Sequence, residues 1–144
     1  MVSDADHAAL EAQLGRPARG VVEVAHRCSC GQPDVVKTAP RLDDGTPFPT
    51  VYYLTCPRAA GAIGTLESSG LMREMTEALE QDPALAAEYA KAHDNYLEVR
   101  EAIEHVDEIA GISAGGMPTR VKCLHVLIAH SLAAGPGVNP LGDQ

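Results

Sequence analysis

Cysteine and histidine residues are grouped in three short segments of this chain. The segments are residues 26–31, 55–57 and 121–125, and together they contain all four cysteines. Thiols grouped with histidines, in a chain that lacks the features of an exported protein, indicate a metal or thiol site more than a disulfide framework. This group is therefore the main candidate for chemistry.

A metal site can be predicted from the ends of two strands and the start of one helix. Cys28 and Cys30 lie on a predicted strand, where residues two apart point to the same side. Cys56 directly follows another predicted strand, and Cys123 lies near the start of the last predicted helix. We expect these four thiols to bind zinc or an iron–sulfur cluster. His26 alternates with Cys28 along the strand, so it is the substitute ligand if Cys30 does not bind.

Regular helix geometry argues against a ligand set that combines Cys123 with a nearby histidine. Cys123 and His125 would diverge by roughly 200° around a helix axis, unless the first turn is irregular. Cys123 and His130 would share a face but would be separated by roughly 10 Å along the axis. We therefore expect neither histidine to share an ion with Cys123.

A thiol enzyme is the second interpretation of the same residues. Cys56 lies between a predicted strand and a predicted helix, where the positive end of the helix can stabilise a thiolate. A histidine would then act as the base, and the candidates are His93, His125 and His130. Free cysteine is also among the most buried residue types, so inert core positions are the third interpretation of Cys56 and Cys123.

A small anionic ligand is predicted near a pair of glycines. Gly115 and Gly116 precede the last predicted helix, where free amides together with Arg120 can bind phosphate or carboxylate. The spacing of a phosphate-binding P-loop is absent, and a Gly-Gly pair alone is usually a turn. Arg41 and Arg100 are the other residues expected to converge on such a ligand.

Composition restricts the partners of this chain. Its 144 residues suffice for one domain with a core, and its net charge of −9 disfavours binding to nucleic acid or to an anionic membrane. The first residues are acidic and no apolar run follows them, and no stretch approaches the roughly 20 apolar residues that span a bilayer. We therefore expect a cytoplasmic protein with reduced thiols, which binds neither nucleic acid nor membrane.

The hydrophobic pattern predicts an α+β fold in a single domain, residues 1–144. A small antiparallel sheet in the N-terminal half is expected to pack on a helical hairpin and a buried C-terminal helix. The predicted segments are a peripheral N-terminal helix in 1–18, the sheet in 20–56, a helical part in 57–134 and a tail in 135–144.

Two helices of this helical part matter for function. Apolar residues in 83–110 alternate spacings of four and three, which predicts a helix that packs against a neighbour in the same chain. The alternative is that this helix binds a protein partner. Apolar residues surround the last helix, predicted over 118–134, on nearly all sides, so we expect it to be buried.

Three separate segments of the sequence resemble a known family. Residues 41–57, 122–125 and 139–142 are similar to the bacterial family catalogued as domain of unknown function 501, and the resemblance spans nearly the whole chain. It implies a soluble single-domain protein with no named activity, encoded near cell-division and central-metabolism genes. The family pattern matches Cys28, Cys56, Cys123, His125 and His130, whereas position 30 is less regularly a cysteine.

Three functions are compatible with these observations. The leading one is a cytoplasmic metal-binding protein, with structural zinc or an iron–sulfur centre and an unknown downstream activity. The alternative is a small thiol- or metal-dependent hydrolase or transferase with an anionic substrate. The third is an adaptor linked to cell division, which would bind its partner through the helix 83–110.

Overall fold

The computed structural model describes residues 2–16 and 18–143. Within these residues the elements are α1 (Asp4–Leu14), β1 (Val21–Arg27), β2 (Pro33–Thr38), β3 (Tyr52–Leu54), α2 (Pro57–Glu67), α3 (Leu71–Gln81), α4 (Pro83–Ile103) and α5 (Leu124–Ala134), with a 3-10 turn at Asp107–Ile109. The α+β class predicted from the sequence is confirmed. None of the helices described is both long and apolar enough to cross a bilayer.

The sheet is antiparallel with the order β1-β2-β3. Its central strand β2 is buried at every residue except Lys37, which is partly exposed, because elements cover both of its faces. Helix α1 contacts β2 and buries Leu10 completely, and the Gln13 side chain donates a hydrogen bond to Pro33 O. Helix α5 contacts all three strands, most extensively β3. The sheet therefore presents β3 directly to α5.

Helices α3 and α4 form the predicted hairpin. The Asp82 carboxylate accepts hydrogen bonds from the amides of Ala84 and Leu85, and Pro83 occupies the first turn of α4. An aspartate cap followed by proline satisfies free amides and fixes the backbone angle at a helix start. Tyr89 and Tyr96 of α4 are completely buried. The hairpin therefore contributes aromatic rings to the core.

Helix α4 ends at Ile103, earlier than the sequence predicted. Arg100 is only 1 % exposed, and its guanidinium donates to Pro49 O and Ile109 O at 3.0 and 2.8 Å. In a continuous helix, residues 100 and 109 would be about 13 to 14 Å apart along the axis. The chain must therefore leave the helix after Ile103 for both carbonyls to reach this buried cation.

Helix α5 begins at Leu124, so the predicted start near residue 118 is wrong. Gly115 and Gly116 have positive φ angles of 68° and 90°, which belong to a left-handed backbone and interrupt a right-handed helix. Their carbonyls accept hydrogen bonds from the amides of Lys122 and Arg120 in a compact turn. The chain therefore stays irregular up to the residue before Leu124.

Candidate metal site

Three possible metal ligands meet where α2 ends and α5 begins. Glu67 is the last residue of α2, Cys123 immediately precedes α5, and His125 is the second residue of α5. A carboxylate oxygen of Glu67, Cys123 Sγ and a ring nitrogen of His125 all lie within 4.8 Å of one another, and all three residues are partly buried. Tetrahedral zinc separates such ligand atoms by about 3.3 to 3.6 Å. Small side-chain movements would therefore allow these atoms to surround one ion.

The backbone at Cys123 explains how this residue approaches His125. Cys123 is extended, with φ −151° and ψ 113°, and only the residues after it are helical. The angle of roughly 200° expected between their side chains on a regular helix does not apply, because one of the two lies outside the helix. The prediction that His125 would diverge from Cys123 is therefore wrong, and its cause is the misplaced start of α5.

The Glu67 carboxylate also caps α5. Its Oε1 accepts hydrogen bonds from the amides of Leu124 and His125 at 2.9 and 3.4 Å, and it lies 2.7 Å from His125 Nδ1. Amides at a helix start favour a negative charge. Burial acts to raise the pKa of Glu67, but the hydrogen bond with the His125 ring and those with the two amides lower it overall. Glu67 therefore offers a carboxylate to the site.

The Cys123 thiol is half-buried in the same place. Burial is the main cause that raises its pKa, the amides of Val126 and His125 oppose the rise, and the nearby Glu67 charge adds to it. A metal ion binds the thiolate form of cysteine, so binding here releases a proton.

A pocket of about 240 Å³ opens beside this group. Its walls come from the segment that leads into β3, from β3 itself and from the first turn of α5. The lining residues are Thr50, Tyr52, Tyr53, Leu54, Cys123, His125 and Val126. The pocket therefore reaches two of the three possible ligands.

A family comparison covers this whole region. The model of a family described as "Protein of unknown function (DUF501)" matches residues 24–144. The chain belongs to the DUF501 family. Glu67, Cys123 and His125 all lie within the matched residues, whereas α1 precedes them. No curated protein and no solved structure matches the chain. DUF501 membership therefore agrees with the resemblance noted in the sequence and gives no activity.

The four predicted cysteine ligands do not come together in this DUF501 protein. Cys28 and Cys30 are joined in a disulfide at the turn after β1, where Gly31 N donates to Cys28 O and closes the turn. The expectation that the thiols are reduced is therefore wrong for this pair. Cys56 is a free thiol at the cap of α2. Among residues 2–16 and 18–143, the group at Cys123 is the only one in which three or more possible ligand atoms lie within 4.8 Å.

His26, the predicted substitute ligand, also lies apart from that group. Its Nδ1 is 2.7 Å from the Asp34 carboxylate, which is buried at the start of β2. The β1–β2 pairing explains this contact, because His26 lies opposite Val35 and therefore beside Asp34. His26 and Asp34 thus form a contact within the sheet.

Two other histidines that were candidate bases have structural contacts in the DUF501 fold. His93 Nδ1 lies 2.7 Å from Ser113 Oγ and connects α4 to the loop before α5. His130 is completely buried, with Nε2 2.7 Å from Asn95 Oδ1 and Nδ1 3.2 Å from Asn139 Nδ2. Because both ring nitrogens of His130 are bonded to amide groups, this residue has no free position for base catalysis.

The predicted anion site lacks the geometry that motivated it. Gly115 and Gly116 precede a turn instead of a helix start, and the amides that do begin α5 already face the Glu67 carboxylate. The chain therefore supplies its own anion at this helix start, which corrects the expectation of free amides at the glycine pair.

The arginines expected to converge on the same anion are engaged elsewhere. Arg100 is buried and donates to two backbone carbonyls, and Arg41 pairs with Glu108 at 2.7 Å. Arg120 is exposed on the turn before α5, and its carbonyl accepts a hydrogen bond from the Tyr89 hydroxyl. Arg41 and Arg100 thus have protein partners.

Sequence reasoning missed Glu67, because it lies 56 positions before Cys123 in the chain. One weak signal was available, since a carboxylate in the last turn of a helix is unfavourable beside the negative end of the helix dipole. Such a residue is better placed when it faces a positive group from another element. In this DUF501 protein that group is the start of α5, whose first amides donate to the Glu67 carboxylate.

Proposed function

We propose that this protein binds a zinc ion through Glu67, Cys123 and His125. The observation that carries the proposal is the approach of a carboxylate, a thiol and an imidazole to within 4.8 Å of one another. Zinc binds these three ligand types. It prefers four-coordinate tetrahedral geometry, and these residues would fill three of the four positions. A single thiolate favours zinc over an iron–sulfur cluster, which is normally held by four cysteines.

An open coordination position would follow from three protein ligands. Structural zinc sites usually have four protein ligands, whereas catalytic sites have three and leave the fourth position to water or substrate. The pocket lined by Cys123 and His125 would leave room for water or substrate at that fourth position. These features support a metal-dependent enzyme, such as the hydrolase or transferase considered from the sequence, more than a purely structural zinc.

The same contacts have a competing explanation that needs no metal. Glu67 caps α5 and forms a hydrogen bond with the His125 ring, and those two interactions stabilise the packing of α2 on α5 by themselves. The role of Cys123 distinguishes the two explanations. The cap requires only Glu67 and the amides of α5, whereas the metal site also requires the thiolate.

Cobalt binding tests this difference directly. Co²⁺ replaces zinc in tetrahedral sites and gives a charge-transfer absorption band when a thiolate binds it. We expect the reduced, metal-free protein to bind one Co²⁺ with this band, and zinc to displace it. Cys123→Ser should lose the band and weaken binding by about 10-fold or more, by analogy with the loss of supporting groups in other sites.

Cys56→Ser is the matched control, since Cys56 is the other free thiol and, like Cys123, immediately precedes a helix. It should bind Co²⁺ like the wild-type protein. The proposal is wrong if the wild-type protein gives no band, or if Cys56→Ser loses the band while Cys123→Ser keeps it. Glu67→Gln and His125→Ala complete the set, and each should weaken binding.

Two expectations from the sequence stay predictions. One is the cytoplasmic location. The other is a protein partner for the helix 83–110, for which α4 offers its outer face, because its inner residues already pack in this chain. Neither expectation is needed for the zinc proposal.

A further inference from the structure

The walls of the pocket beside the site indicate what the open coordination position accepts. We infer that it takes a small uncharged molecule with an apolar body and one metal-binding atom. This inference rests on the proposed zinc site, because the metal would hold the polar end of the ligand. It differs from the anionic substrate considered from the sequence.

The position of the pocket defines the direction of entry. Cys123 and His125 line it, and Glu67 is not among its lining residues. A ligand in the pocket therefore approaches an ion from the side of the sulfur and the imidazole. The Glu67 carboxylate lies at the start of α5, where it accepts hydrogen bonds from the amides of Leu124 and His125. The fourth position of a tetrahedral ion would consequently face β3.

The chemistry of the walls selects against charge. Besides the two possible metal ligands, the residues that line the pocket are Thr50, Tyr52, Tyr53, Leu54 and Val126, whose side chains are apolar or neutral. The described lining residues include no lysine, arginine, aspartate or glutamate. An ionised group that enters such a space loses water without gaining an opposite charge, which is costly. The net charge of −9 adds a general repulsion of anions.

The size of the pocket limits the ligand. Pockets for drug-sized molecules typically measure about 300–1,000 Å³, and this one measures about 240 Å³. A single substituted ring or a short aliphatic chain is therefore the expected body. Such a molecule would place its donor atom on the ion and its apolar end between β3 and Val126.

Two probes of nearly equal shape test the charge preference. 4-Acetylpyridine and pyridine-4-carboxylate both offer one ring nitrogen to a metal, and they differ mainly in the negative charge at the far end. Each would be titrated into the Co²⁺-loaded protein above pH 7, with the visible Co²⁺ bands as the readout. We expect the neutral probe to bind at least about 10-fold more tightly.

Thr50→Arg is the matched variant, because it adds a positive charge to the pocket wall without changing a proposed ligand. Its Co²⁺ band before probe addition should equal that of the wild-type protein, which shows that the site has formed. The ratio between the affinities for the neutral and the charged probe should then fall in Thr50→Arg, or reverse in favour of the carboxylate. Because the same two probes are used with both proteins, the difference in donor strength between their ring nitrogens does not affect this comparison.

The outcomes separate this inference from the zinc proposal. A wild-type protein without the Co²⁺ band overturns both. A normal band with equal or tighter binding of pyridine-4-carboxylate overturns the inference alone, and so does a preference that Thr50→Arg leaves unchanged. A normal band, a preference for the neutral probe and a response to Thr50→Arg together support it.

Discussion

His130 should make the stability of this protein depend on pH. The residue has no exposed surface, and its ring lies against Tyr52 and Tyr96 with centroid distances of 5.6 and 5.2 Å. Burial lowers the pKa of His130 to about 4, although the nearby Asp143 charge acts to raise it. Asn139 donates a hydrogen bond to Nδ1, which fits the neutral ring. The native state therefore holds this histidine uncharged.

The sign and the magnitude follow from linkage between protonation and folding. An unfolded histidine has a pKa near 6.5, so between pH 6.5 and about 4 the unfolded state binds more protons than the native state. The part of the free energy of unfolding that comes from the uncharged His130 is fully present above pH 6.5 and is lost as the pH falls toward 4. At 1.36 kcal/mol per pKa unit, the difference corresponds to about 3 kcal/mol. Stabilities of small domains are only about 5–15 kcal/mol, so the effect should be easy to measure.

Urea denaturation at several pH values between 7 and 4 is the assay. Because carboxylates also titrate at the acidic end of this range, the decisive quantity is the difference between the wild-type protein and His130→Gln. The variant should be less stable at pH 7 and should lose less stability on acidification. His7→Gln, at an exposed position, should follow the wild-type curve. A His130→Gln curve parallel to that of the wild-type protein would refute the reasoning.

Three substitutions test other contacts by urea denaturation. Arg100→Met should cost about 2–5 kcal/mol, because it leaves the buried carbonyl of Ile109 and the partly buried carbonyl of Pro49 unpaired. Arg100→Lys should not restore both bonds, and a cost below about 1 kcal/mol would contradict this. Gly142→Ala should cost about 1–3 kcal/mol, because its Cβ would collide with Leu127 O; an unchanged midpoint would disprove that packing. Glu67→Gln should cost about 1 kcal/mol without metal, because the cap loses its charge, and a stabilised variant would exclude the cap.

Elements with a strong local signal could be predicted from the sequence. The helix predicted over 83–110 begins where α4 begins, because Asp82 followed by Pro83 is a local signal for a helix start, and the structure has the cap and the proline in those roles. The hydrophobic pattern predicted a sheet in 20–56, and β1, β2 and β3 all lie in that segment. In each case the physical cause is contained within a few neighbouring residues, so a pattern in the sequence can report it.

Features that depend on distant contacts could not be predicted. The end of α4 depends on the carbonyls of Pro49 and Ile109, which Arg100 reaches only in the folded chain. The start of α5 depends on the carboxylate of Glu67, which belongs to another helix. Apolar periodicity continued past both boundaries, because residues outside a helix can be buried as well as residues within it.

The candidate site was predicted only in part, because it too depends on contacts between distant residues. Cys123 was named as a ligand and His125 only as a base, because the predicted helix included both residues and turned them apart. The grouping of cysteines with histidines drew attention to the correct segment, 121–125. Glu67, the third possible ligand, belongs to α2, and no sequence pattern near 121–125 indicated that it would approach Cys123 and His125.

X-ray absorption at the zinc edge is the most direct test of the central proposal, because it reports the atoms bound to the ion. For the zinc-loaded protein we predict one sulfur at about 2.3 Å and the remaining ligands as nitrogen or oxygen at about 2.0–2.2 Å. A shell of four sulfur atoms would contradict the site at Glu67, Cys123 and His125, and would instead support the four-cysteine set predicted from the sequence. A shell without sulfur would exclude Cys123 as a ligand.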